Sequence, residues 1–283
     1  PTVTVSSADP QEAVFLGKNI SKLSPIIGNQ IERRIPLLLQ QVETEHGMTW
    51  KRQDPDFPDA ALFDNLGSPV GAGFEVKAWY PMATEVTGRF RESQNLLIGK
   101  DIRMVVVAWM MSHIVYGTPT IVGVLVADAL SVAKTRDEHY HKPPTYLCEE
   151  PQDTSGRSRN LQQTNVLGFR LQETDSVRLS RVNEIYETSA HKNSNSHTPE
   201  GQTLVRNLLE AGTYRQDSNF AKIDRINHED VENFKSAILN QEFRGQPIRS
   251  WVKILRALNN DDKPLEQRRA ELAIAELYAE EAL

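Results

Sequence analysis

Two runs in the middle of the chain, IRMVVVAWMM (102–111) and PTIVGVLVADA (119–129), constrain its fold more than any other feature. Both are rich in β-branched residues and almost uninterruptedly apolar, the pattern of strands covered on both faces of a sheet. Strands of that kind require helical layers, and the flanking sequence supplies them. ADPQEAVFLGKNI opens a helix with Asp9 and Pro10 as a cap and first-turn pair. GNQIERRIPLLLQQVETE (28–45) is a second helix, which Pro36 is expected to kink or split. AALF (60–63) and GFEVKAWY (73–80), separated by a Gly/Pro-rich turn, read as a β-hairpin with a long loop. Residues 83–98 and 128–140 read as helices, and TYLC (145–148) is a short apolar run. Polar stretches fill 151–165 and 188–203; helical patterns then cover about 203–211, 217–240, 248–258 and 264–281. The order predicts an α/β sandwich with a helical C-terminal portion, and no linker divides the 283 residues into separate domains.

Bulk properties narrow the setting. The single cysteine, Cys148, forbids an intramolecular disulfide and argues against a secreted, stapled fold. The most apolar stretch, 104–117, is too short to span a bilayer, and PTVTVSSADP has no signal-peptide profile, so a cytoplasmic protein is expected. A net charge of −6 neither indicates nor excludes nucleic-acid binding, because phosphate is met by local basic surface. No Gly-rich phosphate loop is present, so no nucleotide cofactor is expected.

The hairpin is where chemistry is to be sought. Strand alternation places Glu75 and Lys77 on one face and Phe74 and Val76 on the other. Pairing 59–63 with 74–80 around a loop at 64–73 sets Asp59 opposite roughly residue 78, close to the Glu75/Lys77 face. Two converging carboxylates, with the main-chain carbonyl of Val76 as a third ligand, suit a hard cation such as Mg²⁺. Lys77 would then orient a water or offset phosphate charge. An exposed, salt-bridged hairpin uses the same residues and contributes little to stability. The residues alone leave both open.

PDAALFDNLGSPVGAGFEVK resembles the signature of the PD-(D/E)xK nuclease superfamily, in particular type II restriction endonucleases. There Pro-Asp opens one strand and Asp/Glu-x-Lys sits on the next. The resemblance implies a restriction-endonuclease-like core: a mixed central β-sheet flanked by helices, within about 20–175, followed by a helical portion at about 176–283. It implies Mg²⁺-dependent hydrolysis of double-stranded DNA to 5′-phosphate and 3′-hydroxyl ends, with Asp59, Glu75 and Lys77 catalytic and a homodimer matching a palindromic site. IGNQIE, with Gly28 and Glu32 four apart, is similar to a helix of MutH-type mismatch-repair nickases, and implies a supporting or second-metal role for Glu32. DPDFPDA offers a second Pro-Asp pair, and Asp56 competes with Asp59 for the metal; the hairpin register favours Asp59.

Base and phosphate contacts call for Arg, Lys, Asn and Gln on loops or strands. SGRSRNLQQTN (155–165) gathers Arg157, Arg159, Asn160, Gln162, Gln163 and Asn165, while Arg89 and Arg91 follow the hairpin. The rival functions are a repair or nicking endonuclease of the same core and a non-catalytic DNA-binding protein. HYH (139–141) lacks the further ligands of a zinc site.

Overall fold

The computed structural model describes residues 3–42, 47–53, 57–82, 86, 97–140, 148–149, 169–171, 175–191, 199–212, 214–216, 222–260 and 262–279. The expected helix at 83–98 and the polar stretch at 151–165 fall almost entirely outside these residues. The chain is α/β, with a mixed, curled central sheet flanked by helices. It forms two compact units that do not follow chain order. The first joins Pro1–Val86, Arg103–Ala127 and Glu229–Leu283; the second joins Thr87–Ile102 and Asp128–His228.

In the first unit, α1 (Pro10–Leu39) starts where the sequence predicts, with Asp9 accepting the Glu12 N–H at 2.8 Å and Pro10 at the first helical position. The two helices expected here are one helix of 30 residues. Pro36 neither splits nor ends it at once. It lies in the last turn, where one missing N–H interrupts little of the ladder. Ile27 is buried, and Ile31 and Ile35 continue the same stripe, which faces the sheet.

The sheet has the order β1 (Thr49–Arg52), β2 (Ala60–Phe63), β3 (Pro69–Trp79), β4 (Asp101–His113), β5 (Tyr116–Asp128). β1, absent from the sequence reading, pairs antiparallel with β2, and β2 pairs antiparallel with β3. One face of the sheet meets α1: Val76, Val105 and Val107 pack with Ile31, Ile35 and Phe74. Each fully buried aliphatic side chain of this kind contributes about 1.5–3 kcal/mol.

On the other face, Trp79 meets Phe234 of α5 (Glu229–Asn240), with ring centroids 6.0 Å apart. Gly123 on β5 admits the same helix, because a Cβ there would collide with Ile238. β4 is buried nearly throughout, as its apolar run predicts. β5 is not: it is the terminal strand, largely half-exposed or exposed. An apolar run at a sheet edge looks the same in sequence as one at the centre.

α6 (Ile248–Leu258) buries Ile248, Trp251, Val252, Leu255 and Leu258, a helical stripe. Leu255 and Leu258 close on Gly17 of α1. α7 (Pro264–Ala279) adds the Lys18–Glu271 ion pair at 2.9 Å and a Tyr278 hydroxyl bond to the Ala8 carbonyl at 2.9 Å. The C-terminal helices therefore pack against the first helix. Between α5 and α6, two-residue strands β9 (Glu242–Phe243) and β10 (Gln246–Pro247) form a small hairpin.

The second unit contains α2 (Ala129–Tyr140), α3 (Ser176–Thr188), α4 (Pro199–Ala211) and a small sheet. In that sheet, β6 (Cys148–Glu149) runs parallel to β7 (Phe169–Leu171), and β7 runs antiparallel to β8 (Tyr214–Gln216). Val182, Leu204, Leu208 and Ala211 form a core between α3 and α4. Among the described residues, no helix is long and apolar enough to cross a membrane.

The β4–β5 reversal combines an unusual backbone with close packing. Ile114 adopts φ 64° while fully buried, and its carbonyl accepts the Tyr80 hydroxyl at 2.5 Å. Gly117 follows at φ 94°, exchanging hydrogen bonds of 2.9 and 2.7 Å with Val5, and a Cβ there would strike Ser112 and His113. Gly117→Ala is therefore expected to lose about 2 kcal/mol from backbone strain alone, measured by urea denaturation at equilibrium.

Candidate active site

β3 outruns its neighbour. The last β2–β3 pair is Ala60 with Phe74, so β3 continues to Trp79 with no β2 residue beside it. Val76 is completely buried, and a buried N–H must find an acceptor. Side-chain carboxylates take the place of the missing strand. Asp59 Oδ2 accepts the Val76 N–H at 2.6 Å, and Glu32 Oε1, from α1, accepts the Ala78 N–H at 3.1 Å. The helix runs close to β3 here, with the Ala78 Cβ 3.5 Å from where a Cβ on Gly28 would stand, an ordinary contact distance.

This corrects the register read from sequence. With Ala60 opposite Phe74, Asp59 lies opposite Glu75 rather than residue 78. The hairpin closes earlier than expected: Asp64 Oδ1 accepts the N–H groups of Leu66 and Ser68, at 2.9 and 2.7 Å, and β3 begins at Pro69. A register shift between Ala61 and Phe63 completes the change. The correction draws the acidic pair together, since the Asp59 N–H donates to Glu75 Oε2 at 3.3 Å. The Asp59 carbonyl accepts the Gln53 N–H at 2.9 Å, anchoring the residue to the chain leaving β1.

Lys77 Nζ lies 2.7 Å from Glu75 Oε1, and the two side chains are only 18% and 9% exposed. The exposed salt bridge offered by the sequence is therefore not what forms. Burial pushes the Glu75 pKa up, Lys77 opposes that shift, and the Asp59 carboxylate adds to it; the net direction is upward. For Lys77, burial acts to lower the pKa, but the fields of Glu75, Asp59 and Glu32 outweigh it and hold the ammonium above its ordinary value.

Asp59, Glu75, Lys77, Val76 and Glu32 are thus brought to one place. Asp56 lies outside the described residues, as do Arg89, Arg91, Arg157, Arg159, Asn160, Gln162, Gln163 and Asn165. The sequence reading did not anticipate the cleft beside Asp59, which neither Glu75 nor Lys77 lines. It measures about 370 Å³ and is lined by Asn29, Gln30, Glu32, Arg33, Pro36, Arg52 and Asp59. The helical spacing of Asn29, Arg33 and Pro36 was the available signal, but it marks only a helix face.

Among the described residues, no three His, Cys, Asp or Glu side chains stand close enough to hold a metal together. Mg²⁺ asks for less: one or two carboxylates and several waters. Both Glu75 oxygens and Asp59 Oδ2 already accept a donor, yet a carboxylate oxygen has a second lone pair. In an extended strand the N–H and C=O of one residue point to the same edge, so Val76 turns its carbonyl toward the edge where Asp59 sits. The donor set fits Mg²⁺ in kind. No family model, curated protein or solved structure matches the chain.

Removing Lys77 leaves the Glu75 charge poorly compensated. A carboxylate with a raised folded-state pKa favours the fold below its unfolded value and loses that contribution as pH rises through the folded value. Lys77→Ala is therefore expected to cost about 3 kcal/mol at pH 8 in EDTA, and clearly less at pH 5, where Glu75 takes up a proton more readily. Urea melts at the two pH values measure the difference.

Proposed function

We propose that this chain is a Mg²⁺-dependent endonuclease of the PD-(D/E)xK kind, with a restriction-endonuclease-like core. As a type II restriction endonuclease it would cut double-stranded DNA at a specific palindromic sequence in the bacterial cytoplasm. The observation that carries this reading is the convergence of Asp59, Glu75 and Lys77 where β3 runs past β2, beside an open cleft.

Asp59, Glu75 and the Val76 carbonyl would hold the cation. When bound, Mg²⁺ supplies positive charge for the phosphate and lowers the pKa of water. Asp59 is fixed through its own N–H, its carbonyl and Oδ2, so its carboxylate needs little reorganisation to act. Glu75 positions the Lys77 ammonium, which donates hydrogen bonds to the attacking water or to a non-bridging phosphate oxygen. Water adds to phosphorus and gives up a proton to solvent, the P–O3′ bond breaks, and the 3′ oxygen leaves with a proton from solvent. The products are a 5′-phosphate and a 3′-hydroxyl. A homodimer would apply one such site to each strand of a two-fold sequence.

A second reading keeps the chemistry and changes the outcome. The spacing of Gly28 and Glu32 resembles that of mismatch-repair nickases, and Glu32 reaches the site by accepting the Ala78 N–H. Supercoiled plasmid with Mg²⁺ separates the readings: discrete linear fragments are expected of a restriction enzyme and open circles of a nickase. Absence of cleavage with any divalent metal would leave DNA binding at most. Lys77→Ala is expected to lower cleavage about 100-fold or more while DNA binding persists. Undiminished cutting by that variant would remove Lys77 from the chemistry.

A further inference from the structure

The cleft beside Asp59 has one wall from α1 and another from the end of β1. Its inner lining is Pro36, Glu32 and Asp59, which are buried or half-buried; its rim is Asn29, Gln30, Arg33 and Arg52, which are exposed. Helical geometry explains the division. Ile27, Ile31 and Ile35 take the sheet-facing stripe, Glu32 and Pro36 lie on its flank, and Asn29 and Arg33, one turn apart, stand further out.

Two carboxylates, Glu32 and Asp59, line the inner cleft, and the N–H groups they accept offset only part of their charge, so the inner cleft is anionic. A phosphate approaching Asp59 would meet that field unless cations stood at the entrance. Two do, Arg33 and Arg52, one on each wall. Among the described residues Arg33 has no ion pair or hydrogen-bond partner, and it is exposed at the rim. Its planar fork matches two phosphate oxygens, a fit that a lysine would not reproduce. At about 370 Å³ the cleft is at the small end of ligand pockets, with room for a stretch of one strand and not for a duplex.

We propose that this cleft seats the sugar-phosphate backbone of the strand being cut, with Arg33 gripping a phosphate adjacent to the one attacked at Asp59. The inference rests on the nuclease reading and deepens it. Arg52 stands across the cleft as a second cation, and Asn29 and Gln30 offer amide hydrogen bonds at the rim. Arg33 is a substrate-binding residue, whose contact sets how far the strand enters and so where the scissile bond lies relative to Asp59 and Lys77.

Arg34 is the internal control: it is exposed, carries the same charge, is the next residue of α1 and does not line the cleft. The measurements are plasmid cleavage with Mg²⁺, and binding of the same DNA with Ca²⁺ over a range of salt. Circular dichroism melts confirm that each variant folds. Arg33→Ala is expected to weaken binding about tenfold and to flatten the slope of log affinity against log salt by about one, the release expected for one phosphate contact. Its KM should rise, and Arg33→Lys should recover the slope but only part of the affinity. Arg34→Ala should match the wild type. If Arg33→Ala and Arg34→Ala are indistinguishable while the wild-type protein cleaves, the cleft assignment fails and the nuclease reading stands. Weaker binding with an unchanged salt slope would likewise overturn a phosphate contact. A wild-type protein that neither binds nor cuts DNA overturns the nuclease reading and this one with it.

Discussion

The arrangement of the candidate site follows from one mismatch in strand length. β3 continues five residues past its pairing with β2, from Glu75 to Trp79, and it does so where Val76 is wholly buried. Unpaired backbone N–H groups in such a place cost as much as lost hydrogen bonds. The fold does not lengthen β2 to satisfy them. It turns Asp59 and Glu32 onto them instead, one from the residue before β2 and one from α1. Because alternate residues of a strand offer N–H groups to the same edge, the two carboxylates are stationed along a single line. A requirement of backbone pairing thereby concentrates negative charge in a notch.

That concentration shapes the rest of the electrostatics. Glu75, nearly enclosed, would be expensive to ionise alone, and the neighbouring Asp59 makes it more so. Lys77 is the counterweight, and three carboxylates keep it charged despite its own burial. Such a set is a poor device for stability, since well-packed apolar residues of similar volume commonly do as well or better. Its presence in a sheet otherwise packed with Val, Ile and Met is better matched to a task that needs a positioned charge. This is the physical ground for preferring a chemical role over a structural one.

Much of the hairpin and the first helix is legible in the sequence. Asp9 and Pro10 announced the first helix, AALF marked β2 to the residue, and alternation separated Glu75 and Lys77 from Phe74 and Val76. The register was not legible, because it depends on Asp64 closing the turn and on an irregularity between Ala61 and Phe63. Local side-chain hydrogen bonds of that type shift pairing without altering hydrophobic pattern. β1, with the sequence TWKR, carries too little apolar alternation to announce a strand; its pairing with β2 makes it one. Pro36 misled for a related reason: one missing hydrogen bond in a final turn is outweighed by packing along the helix.

α1 is therefore more than a cover for the sheet. Its Ile stripe fixes its rotation against Val76, Val105 and Val107, and that rotation decides which of its polar residues reach the sheet edge. Glu32 arrives at the Ala78 N–H because Ile31 and Ile35 are seated, and Arg33 is carried to the cleft rim by the same constraint. α6 and α7 hold the N-terminal half of this helix through Gly17 and the Lys18–Glu271 pair. The C-terminal helices are thus connected to the candidate site along one continuous helix, although no residue of theirs lines the cleft. Loss of packing at Gly17 would be felt at Glu32 about four turns away, through the angle of the helix and not through any local contact.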